Sequence, residues 1–258
     1  MKTFLTGLAM ALSMASLAQT YAVLPNAIED RRMDDYLVNR KPATLKIRLV
    51  NATGNTSTLK IRYTIVHPGS ESQVTETTSF GVNNESTIVL QENLPYQQVW
   101  LSVDSFYYTG LLVNSALEVT IDAAKIKEEI SMYGDGISFN GTDAGLNRQM
   151  ALKVLHVREE RSSLLSSFPG LCIRSANGLL QTDALVKSAD SVYRIVKKYD
   201  DDFLKQHPEF AWAVDNERDS WYLGWLIVAF YNKPMPSGIL DQVRKHQPLF
   251  MSNDGVAF

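Results

Sequence analysis

Cysteine is nearly absent from this chain, neither sign of charge is in large excess, and no long apolar run follows the first few residues. Each shortage removes a class of function. Cys172 is the only cysteine in 258 residues, so there is no internal disulfide and no Cys-x-x-Cys pair for redox work or zinc. The net charge is −3, which gives no basic footprint for nucleic acid. The longest apolar stretch after the start, Trp221 to Phe230, is well short of the ~20 residues that span a bilayer. The histidines are His67, His156, His207 and His246. No two lie at i, i+4, and they read as surface or capping residues rather than metal ligands. Neither a Gly-x-Ser-x-Gly nucleophile turn nor a glycine-rich phosphate loop occurs. No catalytic constellation, cofactor pattern or metal set is therefore assigned.

The start of the chain reads as an export signal. Lys2 gives a positive start, Phe4 to Leu17 is a short uncharged run, and Ser16-Leu17-Ala18 is a small-x-small cleavage site. Residues 1–18 are thus expected to be removed. The mature chain is expected in the periplasm or cell envelope of a Gram-negative bacterium, with no integral membrane segment. Residues 19–42 read as an irregular leader.

From Ala43 the hydrophobic period is two. Leu45, Ile47 and Leu49 alternate with Lys46 and Arg48, and Leu59, Ile61, Tyr63 and Ile65 alternate with Lys60, Arg62 and Thr64. Further strands are expected at Gln73–Phe80, Ser86–Gln91, Gln98–Val103, Tyr107–Val113 and Leu117–Ile121, with a last short one at Ile137–Phe139. About seven short strands at such spacing imply an antiparallel β-sandwich over residues 43–141. A short helix is expected at Ala123–Met132.

Beyond Thr142 and Asp143, either of which is a good N-cap, the period becomes helical. One helix is expected to end near Phe168-Pro169-Gly170, and a second to run from Thr182 to about Lys205. A third opens at Pro208, a fourth covers Ser220–Tyr231, and a fifth Ile239–His246. The fold class is thus α+β, a sandwich followed by a helical array over residues 142–258. The array ends abruptly on Val256-Ala-Phe258, which suits equally the end of a native chain and that of a piece of a longer one.

A few residues carry possible chemistry. Cys172 opens a Cys-x-x-Ser, a one-thiol echo of the redox pair, and Arg174 lies near enough in sequence to lower its pKa. No βαβ context surrounds it, so a bystander thiol in an interhelical loop is the preferred reading. Asp200-Asp201-Asp202 lacks the spacing of a calcium loop and reads as a solvated helix segment. Asp135 and Asp143, among glycines, read as turn and cap residues. Two aromatic groups remain, Trp100 with Phe106, Tyr107 and Tyr108, and Trp212 with Trp221, Tyr222 and Trp225. Such groups mark binding faces or internal packing, and packing is the preferred reading. If a binding face exists, its expected residues are Trp100, Tyr107 and Tyr108.

Four segments carry a family resemblance. They are Trp100–Asp122 with its Phe106-Tyr-Tyr-Thr-Gly-Leu-Leu-Val113, Ile137–Asn147, Pro208-Glu-Phe-Ala-Trp212, and Gln247–Asn253. Together they resemble the N-terminal, β-rich and helical region of exported bacterial thiol-disulfide oxidoreductases of the TlpA/ResA-like type. The resemblance implies a non-catalytic accessory region that positions or presents a thioredoxin domain, in cis or in trans, or its substrate. That family's chemistry lies in a Cys-x-x-Cys this chain lacks, so no catalytic residue carries over and Cys172 takes no role from it. The alternative is a stand-alone cell-envelope binding module that uses the aromatic face of the sandwich.

Overall fold

The computed structural model describes residues 42–67, 72–91, 94, 96–104, 107–126, 136–250, 252 and 255, with the backbone alone at 67, 72 and 155–165. The expected signal and almost all of the leader lie outside the described residues, as do Phe106 and Asp135.

Eight strands come first: β1 (Thr44–Val50), β2 (Lys60–His67), β3 (Ser72–Ser79), β4 (Glu85–Val89), β5 (Gln97–Val103), β6 (Tyr107–Val113), β7 (Ala116–Asp122) and β8 (Ile137–Asn140). They form two four-stranded sheets, ordered β4-β1-β7-β8 and β3-β2-β5-β6. Strict alternation builds them. Leu45, Ile47 and Leu49 of β1, Leu117, Val119 and Ile121 of β7, and Val99, Leu101 and Val103 of β5 all point inward and are buried. Side chains of both sheets meet in one core, which makes the pair a sandwich. Each fully buried aliphatic group there is worth about 1.5–3 kcal/mol over an exposed one.

The fold is α+β, as the patterning implies, with one pairing that differs. The centre of the first sheet, β1 against β7, is parallel, in register from Thr44↔Ala116 to Val50↔Asp122. The chain leaves β1, builds all four strands of the second sheet and β4 of the first, and returns alongside as β7. Pairing partners so distant in sequence are not encoded in local alternation. The helix expected at Ala123–Met132 is also corrected where it can be seen. Residues 123–125 form turns closed by bonds from Lys125 and Ile126 back to Asp122, and 127–132 lie outside the described residues.

Four helices follow: α1 (Ala144–Ala176), α2 (Thr182–Leu204), α3 (Ala211–Ala229) and α4 (Ser237–Lys245). The first expected helix does not stop at Phe168-Pro169-Gly170. It runs through Pro169 to Ala176. A proline inside a helix forfeits one backbone bond and costs about 3 kcal/mol. Here Phe168 and Cys172, on either side of it, are both fully buried against α3, and that packing holds the helix together. The third and fourth expected helices are one. Pro208–Phe210 is a single 3-10 turn leading into α3, whose polar run Asp215–Ser220 stays helical because Arg218 is buried and bound to acids of its own helix.

The sandwich and helices are joined at the start of α1. Asp143 is buried, and its Oδ2 accepts from the backbone N–H of Asn114 (2.9 Å) and Ser115 (2.8 Å). One turn later Asn147 pairs with the edge strand β6. Its Oδ1 accepts from the N–H of Leu112 (2.8 Å), and its Nδ2 donates to the carbonyls of Leu112 and Asp143 (2.8 Å each). Tyr96, Leu112, Leu146, Ala213, Leu249 and Phe250 fill a small core beside this joint. Gly141 precedes it at φ +93°, where an added Cβ would come within 2.5 Å of the Ala116 carbonyl oxygen, so only glycine fits.

Candidate functional site

The second sheet carries an aromatic ledge on its outer face. Antiparallel pairing of β5 with β6 sets Trp100 opposite Gly110 and Ser102 opposite Tyr108. Trp100 lies across the glycine, where an ideal Cβ would meet the ring at 3.1 Å, so the indole takes the space a side chain would need. Tyr108 lies diagonally next to it, with ring centroids 5.6 Å apart and planes 11° from parallel. Tyr108 is 54% exposed and Trp100 half-buried. The indole Nε1 is buried and has no hydrogen-bond partner among the described residues.

The register extends the ledge across polar neighbours. Thr64 lies opposite Trp100 and Arg62 opposite Ser102 on β2, and beyond them Thr75 and Thr77 on β3. The Thr64 and Thr75 hydroxyls are 2.7 Å apart. The outer face of the first sheet differs in character. It carries an ion-pair ladder in which Glu85 binds Lys46 (2.9 Å) and Arg48 (2.5 Å). The hydrogen bonds from those two cations, in that order, hold the Glu85 carboxyl below its usual range.

Of the expected binding residues, Trp100 and Tyr108 are therefore brought together, and Tyr107 is not. Tyr107 is 2% exposed in the sandwich core, and burial raises its pKa. Adjacent strand residues must point to opposite faces, so 107 and 108 cannot share one.

Cys172 sits in α1, not in an interhelical loop, and is fully buried beside Phe168 and Tyr222. Burial alone pushes its thiol up to about 12. Arg174 is exposed and lies about 200° further around the helix, so it does not face the sulfur. The second aromatic group serves as packing. Trp221 and Tyr222 lie against Phe168 at 5.1 and 5.5 Å, and Trp212 against Tyr96 at 5.6 Å.

A buried charge cluster corrects the reading of Asp200 as solvated. Asp200 is 0% exposed, between Lys153 of α1 (3.8 Å) and Arg218 of α3 (3.7 Å). Lys153 also binds Glu217 (2.9 Å), and Arg218 binds Asp215 (2.7 Å) and Asp219 (3.0 Å). Desolvation lowers the Arg218 pKa, but Asp219, Tyr193 and Asp215 together outweigh it and raise it overall. Asp201 and Asp202 are solvated as expected, each paired with a nearby lysine.

Among the described residues no group of three or more His, Cys, Asp or Glu could hold a metal ion, and no helix is long and apolar enough to cross a membrane. The architecture defines an α+β chain with an aromatic sheet face and a buried thiol. Comparison with protein-family models, curated proteins and solved structures finds no match to it.

Proposed function

We propose that this chain is a non-catalytic binding module whose ligand lies on the outer face of the second sheet. The observation that carries this reading is the near-parallel pair of half-buried Trp100 and exposed Tyr108, with the indole packed over Gly110 and the pair flanked by Thr64, Arg62 and Thr75. Flat rings offer apolar contact to the C–H face of a sugar, and the flanking hydroxyls and guanidinium supply hydrogen bonds to its hydroxyls. A cell-envelope glycan is the ligand class that this chemistry and the expected export address share. Co-sedimentation with insoluble peptidoglycan tests the reading. The full chain pellets and the Trp100→Ala/Tyr108→Ala double variant stays in solution; equal behaviour of the two removes the proposal.

The accessory role toward a thioredoxin domain is the second reading. It rests on the sequence resemblance alone, whose four segments each contribute to the joint. Leu112, Leu146 and Asn147, Phe210 and Trp212, and Leu249 and Phe250 come from one segment each. Reading the gene past the Phe258 codon tests the in-cis form. An open frame encoding a Trp-Cys-x-x-Cys thioredoxin domain supports it, and a stop codon with no such frame counts against it.

A further inference from the structure

We propose that the helical array holds a second binding site, for a small zwitterion of the free amino-acid class, in the cavity between α2, α3 and α4. The cavity measures about 300 Å³ and is lined by Tyr193, Asp219, Tyr222, Leu223, Lys245 and His246 among others. This is the low end of small-molecule sites (about 300–1,000 Å³), which suits a ligand of amino-acid size rather than a nucleotide.

The anionic wall is built in advance. The Tyr193 hydroxyl (2.9 Å) and Arg218 Nε (3.0 Å) both donate to Oδ1 of Asp219, which fixes the carboxylate and leaves Oδ2 for a donor from the cavity. Behind it, Asp200, Asp215 and Glu217 face the two buried cations Lys153 and Arg218, so with Asp219 the acids of this cluster outnumber its cations by four to two. On the α4 side of the lining Lys245 is exposed in the last turn of that helix, with no ion pair among the described residues, and can receive a carboxylate. Between the two arms the Tyr193 and Tyr222 rings, 4.7 Å apart, and Leu223 offer an apolar wall for a side chain. His246 bonds Ser220 Oγ at 2.8 Å, and burial lowers its pKa, so it adds no positive charge at neutral pH to repel an ammonium group.

The test is calorimetric titration of the full chain with L-phenylalanine and L-leucine. Phenethylamine, which lacks the carboxylate, and 3-phenylpropionate, which lacks the ammonium, are titrated in parallel. At least one amino acid binds saturably, and each truncated analogue binds at least about tenfold more weakly, the scale of one lost charge-assisted hydrogen bond. Lys245→Glu weakens the amino acid and does not weaken phenethylamine, whose lone ammonium gains from the added negative charge, whereas Asp219→Asn weakens both. Asp219 also anchors Arg218 and Tyr193, so the exposed Lys245 variant keeps the test decisive if Asp219→Asn fails to fold. Absence of saturable binding by either amino acid, equal affinity for phenethylamine, or amino-acid binding unchanged by Lys245→Glu would overturn the proposal. The Trp100→Ala/Tyr108→Ala variant retains this binding, which separates the site from the sheet ledge.

Discussion

Cys172 shows how completely a residue's surroundings set its chemistry. The sulfur is fully buried, and with its thiol near 12 almost no thiolate forms at neutral pH. A thiol-specific reagent at pH 8 is therefore expected to leave the native chain unmodified and to label one thiol after denaturation. Rapid labelling of the native chain would contradict this burial. Asp200 makes a parallel case for charge. It is four residues past the buried Val196, so the helical stripe already places it inward. Removing one partner of a buried ion pair commonly costs 3–5 kcal/mol. Here Lys153 keeps Glu217 and Arg218 keeps Asp215 and Asp219, so Asp200→Asn is expected to cost less, about 1–3 kcal/mol by urea unfolding.

Among the elements, α1 sets its own packing against its sequence. Pro169 lies inside it, yet the helix continues because Phe168 and Cys172 are buried on either side. Pro169→Ala restores the missing backbone donor and is expected to raise stability by about 1–3 kcal/mol, seen as a higher thermal midpoint. A lower midpoint would mean that the proline shape is itself packed upon. The strands and α2 were legible because each repeats one period over several residues, as Leu45, Ile47 and Leu49 do in β1 and Leu185, Ala189, Val192 and Val196 do in α2. The continuation of α1 and the fusion that makes α3 were not legible, since both depend on contacts with other helices. The opposite faces of Tyr107 and Tyr108 follow from the strand period alone. The meeting of Trp100 with Tyr108 needs the β5–β6 register, which no local pattern supplies.

At the scale of the whole molecule, the sandwich and helices depend on a few polar bonds at one joint. Asn147 acts as a short extra strand on the edge of β6, satisfying both backbone groups of Leu112. Asn147→Ala leaves them buried and unpaired, and a loss of about 2–4 kcal/mol is expected by chemical denaturation, with hydrogen exchange speeding up first at β6 and the start of α1. Unchanged stability would mean that the apolar contacts of Tyr96, Trp212 and Phe250 suffice to hold the halves together. The proposed ligand lies on the outer face of the second sheet, the face on which Leu112 of β6 also meets the helices further along the strand. Four tryptophans, Trp100, Trp212, Trp221 and Trp225, give four indole N–H signals in a nitrogen–proton correlation spectrum. On titration with soluble peptidoglycan fragments, the account predicts that the Trp100 signal shifts progressively to saturation while the other three stay in place. A saturating titration that leaves Trp100 unmoved would contradict it.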